Sequence, residues 1–256
     1  MLEAVQLTKF YGSVLAVHDV SFQIAPGSVL GYLGPNGSGK STTVKMLTGL
    51  LQPTYGQVLF NGQDIHKDLV AYRRRLGYVP EEANLYPHLT GGEYLEMVGT
   101  LRGMDAKRLL ARADQLLQLL GLAPHKYVQI SAYSKGMRQR ILLIAALMDN
   151  PDILVLDEPL SGLDVTSAMV VKNLIQILSS AGKSIFYCSH VLEVVEKVCS
   201  QLLVIRKGRM LASGSTKEVR EQIGQASLEQ AFMQLVEDQD AAQIAHAIVD
   251  VVADQR

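Results

Sequence analysis

The chain has 256 residues, of which 48% are hydrophobic and 19% are charged, so it can bury the core of one large domain or of a domain with an attached lobe. Its formal net charge of −1 provides no broad positive field, which argues against a nucleic acid as its partner. The starting segment MLEAVQLTKF lacks the basic and apolar regions of a secretory signal. The longest apolar run, residues 141–148, is far shorter than the roughly 18 residues that cross a bilayer. We therefore expect a globular, unexported protein that meets a membrane only through another chain.

Residues 2–32 are predicted to be rich in β-strands, because the segments VQL, VLAV, SFQI and SVLGYL are separated by Tyr-Gly and Pro-Gly turn signals. The last of these segments runs into a glycine-rich loop and the helical segment KSTTVKMLTGL. Strands alternate with helices again at ILVLDEP, SIFYCSH and LLVIRKG. This alternation predicts an α/β fold with a mainly parallel sheet.

Between about residues 90 and 150 the strand signals give way to helical ones. The segment GGEYLEMVGTLRG is predicted to be helical, and an apolar stripe at helical spacing follows it. The stripe consists of Leu109, Ala113, Leu116, Leu117 and Leu120. Such a stripe is typical of core packing, and a block of helices between two parts of an α/β sheet indicates a separate lobe.

After Gly214 the sequence again has helical periodicity. Its apolar positions are Leu228, Ala231, Phe232, Leu235, Ile244, Ile248, Val251 and Val252. Helices at these positions can pack on the core or pair with another copy of the chain, and the pattern does not distinguish the two. Cys188 and Cys199 are the two cysteines, which we expect to be reduced core thiols of a cytosolic protein.

The segment GPNGSGKST satisfies the phosphate-loop pattern G-x-x-x-x-G-K-[ST], and it lies between a predicted strand and a predicted helix. We expect its glycines to let backbone N–H groups approach phosphate oxygens, Lys40 to lie between the β- and γ-phosphates, and Ser41 to offer its hydroxyl to Mg²⁺. The predicted nucleotide-binding residues are Gly34, Pro35, Asn36, Gly37, Ser38, Gly39, Lys40, Ser41 and Thr42.

The strand ILVLDEP ends in two adjacent acids. Carboxylates at the end of a buried strand are costly unless a cation meets them, so Asp157 is a predicted partner of Mg²⁺ and Glu158 a predicted base for a water molecule. Asp157 could instead cap a helix, but Pro159 argues against that. His190 follows the next strand, at the sheet edge where parallel α/β proteins place their sites, and we expect it to contact the γ-phosphate.

These motifs, in this order, resemble the nucleotide-binding subunit of ABC transporters over about residues 2–220. The resemblance implies that Tyr11 stacks on adenine, that residues 34–42 form the Walker A loop, and that ILVLDEP is the Walker B strand with Glu158 as the catalytic glutamate. It also identifies SGLD, ending at Asp164, as the D-loop that joins the nucleotide site, and His190 as the switch histidine.

The segment YSKGM opens a predicted helix, and helix N-termini hold anions. It resembles the family signature LSGGQ, which implies that Ser134 and Gly136 contact the γ-phosphate of ATP on the opposite subunit of a head-to-tail dimer. Lys135 replaces a glycine of the signature and Tyr133 replaces its leucine. Lys135 either approaches the phosphates or points to solvent.

Glu81 stands where the family usually has the glutamine of its Q-loop. A carboxylate there can hold Mg²⁺-bound water, at the cost of negative charge beside ATP. It can instead belong to a coupling hinge, and the sequence leaves both alternatives open.

The resemblance implies a P-loop NTPase (RecA-like) core with an N-terminal antiparallel β region, an inserted α-helical subdomain and C-terminal helices. We expect an ATP-binding core at residues 1–89 and 151–220, a helical signature subdomain at 90–150 and a C-terminal extension at 221–256.

The expected activity is that of a Mg²⁺-dependent ATPase that acts as a homodimer beneath transmembrane permease subunits, at the cytoplasmic face of the membrane. The segments PEEANLYPHLTGGEYL and YSKGMRQR are most similar to ATPases of ABC-2-type exporters. The alternatives are an importer ATPase and a soluble ABC ATPase with an assembly role. A GTPase switch would carry an Asn-Lys-x-Asp segment, which the sequence lacks.

Overall fold

The structure is a computed structural model that describes residues 1–189 and 192–223, together with His246, Val249, Val251 and Val252. The strands in the described part are β1 (Leu2–Tyr11), β2 (Val14–Ile24), β3 (Val29–Leu33), β4 (Tyr55–Phe60), β5 (Gln63–Asp64), β6 (Leu76–Val79), β7 (Ile153–Asp157), β8 (Ser184–Cys188), β9 (Gln201–Arg206) and β10 (Arg209–Gly214). The helices are α1 (Lys40–Leu47), α2 (Leu69–Arg75), α3 (Gly91–Leu101), α4 (Ala106–Leu119), α5 (Lys135–Leu147), α6 (Val165–Ser180), α7 (Leu192–Val198) and α8 (Thr216–Ile223).

Two sheets form the strand-rich part of the chain. The first has the order β2-β1-β4-β5 and is antiparallel, and the second has the order β10-β9-β3-β8-β7-β6. Strands β9, β3, β8, β7 and β6 of the second sheet are parallel, whereas β10 returns antiparallel to β9. The predicted α/β fold with an antiparallel N-terminal region is thus confirmed.

Strand β8 lies between β3 and β7 in the parallel sheet. All three strands are buried throughout, as expected for near-continuous apolar segments covered on both faces. Their carboxyl ends therefore meet at one edge of the sheet, where an open α/β sheet places its ligands.

Separate apolar clusters cover the two faces of the parallel sheet. Between the two sheets, the rings of Tyr32 and Phe186 lie 5.0 Å apart and Phe22 packs against both. On the opposite face, Val171 and Ile175 of α6 pack in a second cluster with α7 and the sheet. Cys188 and Cys199 are buried and free, as expected.

Helices α3, α4 and α5 enclose a third cluster, which includes Leu95, Leu117, Leu122, Ile130 and Ile141. The predicted stripe on α4 is confirmed, since Leu109, Ala113 and Leu117 are buried and Leu116 and Leu120 are partly buried against them. Thr90 and Glu93 form a capping box at the start of α3, which fixes where this helix begins.

Helix α8 is amphipathic, and its Val219 is buried in the second cluster. Of the predicted tail positions, Val251 and Val252 are helical and exposed. Leu228, Ala231, Phe232, Leu235, Ile244 and Ile248 lie outside the described residues. No helix in the described ranges is long and apolar enough to cross a membrane.

Candidate functional site

The glycine-rich loop connects β3 to α1 and adopts the backbone that its glycines allow. Gly37 and Gly39 have φ angles of +77° and +105°, in the left-handed region that favours glycine. A Cβ atom at Gly39 would lie 2.6 Å from the carbonyl oxygen of Ala16, so the loop packs directly on β2. Lys40 donates hydrogen bonds from Nζ to the carbonyl oxygens of Gly34 and Pro35, at 2.7 and 3.0 Å.

A buried hydrogen-bond chain fixes the start of α1 against β3. The hydroxyl oxygens of Tyr32 and Thr43 are 3.0 Å apart, and Thr43 donates to the carbonyl oxygen of Gly39 at 3.1 Å. Burial raises the pKa of Tyr32 far above its usual range, so its hydroxyl remains a donor. The sequence analysis missed this pair, whose one signal is a tyrosine directly before the loop.

The two acids after β7 are both buried. Asp157 is 5% and Glu158 is 8% exposed, and Glu158 has a φ angle of +48°, which is strained for a residue with a side chain. Its N–H donates to the carbonyl oxygen of Cys188 at 2.9 Å. Ser189 donates a buried hydrogen bond to Oε2 of Glu158 at 3.1 Å. Strand β8 therefore holds Glu158 at its backbone and at its carboxylate, and the sequence analysis did not identify Ser189.

A cavity of about 330 Å³ opens at this edge of the sheet, and we call it the phosphate-side cavity. It is lined by Ser41, Lys45, Tyr78, Pro80, Glu81, Glu82, Asn84 and Asp157. The fold thus brings together Ser41, Asp157 and Glu81, the three predicted metal ligands, from three different segments. In the described part of the chain no three His, Cys, Asp or Glu side chains cluster closely enough to hold a metal. This donor set fits Mg²⁺, which typically takes one or two carboxylates and completes its shell with water and phosphate oxygens.

The electrostatics of the cavity favour a cation. The pKa of Asp157 is raised from 3.8 to about 6, chiefly by burial and also by the charges of Glu81 and Glu158, while a hydrogen bond from Cys188 and the charge of Lys40 oppose the rise. The pKa of Tyr78 is raised to about 12 by burial and by neighbours that include Asp157 and Glu81. A divalent cation would offset this excess negative charge.

The YSKGM segment packs on the SGLD segment of the same chain. Ser134 caps α5, and its hydroxyl accepts a hydrogen bond from the N–H of Met137 at 3.2 Å. A Cβ atom at Gly136 would lie 2.6 Å from the carbonyl oxygen of Gly162, and one at Gly162 would lie 2.7 Å from Cγ of Lys135. The stem of Lys135 therefore lies over Gly162, an arrangement that the sequence analysis did not predict.

Asp164 is not among the residues that line the phosphate-side cavity. Asp164 caps α6 and accepts hydrogen bonds from the N–H and hydroxyl of Ser167, at 2.9 and 2.7 Å. Tyr133 is 3% exposed. Its hydroxyl contacts Gly91 and donates a hydrogen bond to the carbonyl oxygen of His125 at 2.7 Å. His190 lies outside the described residues.

Tyr11 ends β1 and is 48% exposed. It pairs with Val14 of β2, two residues before Ala16, whose carbonyl oxygen faces Gly39. A strand rises ~3.4 Å per residue, so the end of β1 that carries Tyr11 lies close to the part of β2 on which the loop packs.

If Tyr11 stacks on a base, Tyr11→Ala weakens nucleotide binding by about 1–3 kcal/mol, the contribution of one base–aromatic contact. Isothermal titration measures the change in affinity. Tyr11→Phe is the matched control, because it keeps the ring and is expected to bind as the parent does. Equal affinities of the alanine variant and the parent would contradict the stacking role.

Comparison with known proteins places this site in a family. The family model described as ABC transporter matches residues 17–161. The linearmycin resistance ATP-binding protein LnrL of Bacillus subtilis is 35% identical over 224 residues, which cover 88% of this chain and 72% of LnrL. The Nod factor export ATP-binding protein I of Cupriavidus metallidurans is 35% identical over 219 residues, which cover 86% of this chain and 72% of that protein.

Solved structures of ATP-binding subunits share the fold of this chain. An ATP binding subunit of an ABC transporter has a TM-score of 0.86 at 30% identity, and the match covers 92% of this chain and 99% of that one. The ATP-binding cassette MJ0796, a dimer in a post-hydrolysis state bound to ADP and Pi, has a TM-score of 0.78 at 25% identity, covering 84% and 98% of the two chains.

The fold and the site define a P-loop ATPase, with a phosphate loop after β3 and two acids after β7, which β8 separates from β3 in the sheet. The chain belongs to the ABC transporter family, as an ATP-binding subunit that hydrolyses ATP. ATP-binding proteins of this family work with membrane permeases and form dimers.

Proposed function

We propose that this chain binds ATP with Mg²⁺ at the carboxyl edge of β3, β7 and β8, and that the energy of hydrolysis drives an exporter. The observation that carries the proposal is that Ser41, which follows Lys40 of the phosphate loop, lines one cavity with Asp157 and Glu81. Lys40 and the loop N–H groups bind the phosphates, and Ser41 and Asp157 hold Mg²⁺, with Glu81 beside them. When bound, Mg²⁺ neutralises charge that develops on the phosphates.

Glu158 is the proposed general base. Its carboxylate is 8% exposed, and the hydrogen bonds from its N–H to Cys188 and from Ser189 to Oε2 fix its direction. A base that is fixed before substrate arrives loses little freedom in the reaction. It accepts the proton of the attacking water, while His190, beyond the described residues, is proposed to contact the γ-phosphate.

Two copies of the chain are proposed to close head to tail on two ATP molecules. Residues 133–137 contribute nothing to the lining of the phosphate-side cavity within the described part of the chain. Ser134 stands at the N-terminus of α5, where N–H groups and the helix dipole favour an anion. We propose that Ser134, Gly136 and the adjoining Asp164 loop complete the partner's ATP site.

A mixed dimer tests this arrangement. Pairing a Ser134→Arg chain with a Lys40→Ala chain leaves one intact site if Ser134 serves the partner, because the intact Lys40 then faces the intact Ser134. Placing both changes in one chain and pairing it with an unchanged chain leaves no intact site. Tandem-linked dimers and counting of occluded ATP measure both combinations. The reverse pattern, with ATP retained in the second combination, means that Ser134 serves its own chain.

Export is proposed because relatives are named for linearmycin resistance and for Nod factor export. We also propose that the ATP-binding core comprises residues 1–89 and 151–220, and that the 90–150 lobe transmits closure to permease subunits in the membrane. The tail at 221–256 is a separate extension. Affinity purification from membranes, followed by identification of the copurified proteins, tests the proposal. Recovery of an assembly factor without any permease would overturn the transport role.

A further inference from the structure

Glu81 and Lys135 are the two charged departures from the family motifs, and they line one cavity. This signature-side cavity has a volume of about 370 Å³, and its lining includes Glu81, Glu82, Asn84, Lys135, Arg138 and Ser161. Glu81 also lines the phosphate-side cavity with Ser41 and Asp157. The loop that carries Glu81 therefore forms a wall between the ATP site and the signature helix of the same subunit.

Two cations and two carboxylates line the signature-side cavity. The guanidinium of Arg138 donates to the carbonyl oxygen of Ser131 at 3.1 Å. Lys135 has no ion-pair or hydrogen-bond partner for its ammonium among the residues described, and neither does the carboxylate of Glu81. Side chains that line one cavity can meet by a change of rotamer.

Glu81 differs from its neighbour Glu82 in its effect on the ATP site. Both line the two cavities, but Glu81 is among the charges that raise the pKa values of Asp157 and Tyr78, and Glu82 is not. Repulsion from Asp157 would direct the Glu81 carboxylate toward the signature side, where Lys135 lines the same cavity. A divalent cation at Asp157 would attract it in the opposite direction.

The stem of Lys135 is fixed independently of its charge. A Cβ atom at Gly162 would lie 2.7 and 2.8 Å from Cγ and Cδ of Lys135, so the methylene groups cover Gly162 and the ammonium lies beyond them. Helix α5, which carries Lys135, is also tied to the segment after β7, since Gln139 donates a buried hydrogen bond to the carbonyl oxygen of Pro159 at 3.2 Å.

We propose that Lys135 is a positioning residue for Glu81: its ammonium holds the Glu81 carboxylate in the signature-side cavity and releases it when a divalent cation binds at Ser41 and Asp157. The two departures from the family motifs then act as one pair, in which the positive charge of Lys135 compensates for the negative charge that Glu81 adds. This inference rests on the proposed metal site, but the pairing is proposed for the nucleotide-free protein and is tested there without ATP or metal.

The first test is a double-mutant cycle without nucleotide or metal. Glu81→Gln, Lys135→Met and the double variant are unfolded in urea at low salt. Lys135→Met keeps the stem over Gly162, so the cycle isolates the charges. We expect a coupling of about two- to fivefold in the unfolding equilibrium constant, typical of a partly exposed ion pair, that is lost at high salt. Additive effects would overturn the pairing.

The second test measures how much ATP raises the melting temperature at increasing Mg²⁺ concentrations, and it determines the Mg²⁺ concentration that gives half of the maximal rise. All variants also carry Glu158→Gln, which suppresses turnover. Lys135→Met is expected to lower this concentration about two- to fivefold, because the pair no longer competes with the metal. Lys135→Arg keeps the charge and is expected to match the parent. In the presence of Glu81→Gln the lysine change is expected to have no effect, and Glu82→Gln is the matched control for the carboxylate.

The two tests separate the inference from the proposed function. If Lys135→Met and the parent need the same Mg²⁺ concentration for half-saturation, the positioning role is overturned. Failure of every variant and of the parent to respond to ATP would instead overturn the proposed ATP site, while the cycle without nucleotide would still decide whether Glu81 and Lys135 interact.

Discussion

Glu158→Gln is expected to abolish ATP turnover while leaving ATP binding intact. The substitution keeps the size of the side chain and its capacity to accept the hydrogen bond from Ser189, but removes the basic carboxylate. Loss of a general base typically costs about 10²–10⁴ in rate. Glu158 does not contribute to the lining of the phosphate-side cavity, so the affinity for ATP is expected to stay close to that of the parent.

ATP is expected to trap the Glu158→Gln variant as a closed dimer, because hydrolysis is the proposed step that reopens the dimer. Size-exclusion chromatography with light scattering, alongside a phosphate-release assay, measures both effects. Glu82→Gln is the control, since this exposed acid lines the phosphate-side cavity but does not follow β7, and the variant is expected to keep its turnover and to dissociate after hydrolysis. Turnover in Glu158→Gln equal to that of the parent would rule out Glu158 as the base.

Asp157→Asn is expected to stabilise the protein in the absence of nucleotide and metal. The pKa of Asp157 is raised from 3.8 to about 6 by burial and by the neighbouring carboxylates Glu81 and Glu158. Between about pH 4 and 6 the folded state therefore keeps a proton that the unfolded state has lost, and the free energy of unfolding falls as the pH rises through this window. A difference of about two pKa units corresponds to ~3 kcal/mol.

Asparagine is uncharged at every pH, so the free energy of unfolding of the variant is expected not to fall between about pH 4 and 6. At pH 7.5 the variant is therefore expected to be more stable than the parent, by up to ~3 kcal/mol. Urea unfolding at pH 4.5 and 7.5 measures both quantities. With ATP and Mg²⁺ the order is expected to reverse, because the variant lacks a carboxylate for the metal.

Asp152→Asn is the matched control at the opposite end of the same strand. Asp152 is paired with Arg75 and lies 3.9 Å from the ammonium of Lys183, so removing its charge is expected to leave stability unchanged or to lower it. An Asp157→Asn variant less stable than the parent at pH 7.5 without ligands would contradict the electrostatic account.

The sequence by itself located the phosphate loop, the acids after β7 and the helix start at Ser134, because each depends on residues that are adjacent in the chain. A glycine-rich loop needs its glycines at fixed spacing, and an N-cap acts on the N–H groups two or three residues ahead. The structure accordingly has α1 beginning at Lys40 and α5 at Lys135. The α/β fold followed from the alternation of apolar strands and helices for the same reason.

Only the tertiary structure decided which residues that are distant in the chain come into contact. Strand β8 lies between β3 and β7, and this order brings Ser189 to Glu158 across 31 positions. The Tyr133 hydroxyl contacts Gly91, and Lys135 covers Gly162, so both signature departures are accommodated by glycines in other segments. Crossover connections and packing between elements set these contacts, and no local pattern encodes them. The sequence therefore predicted which groups carry the chemistry, whereas the packing of distant segments decided which side chains surround them.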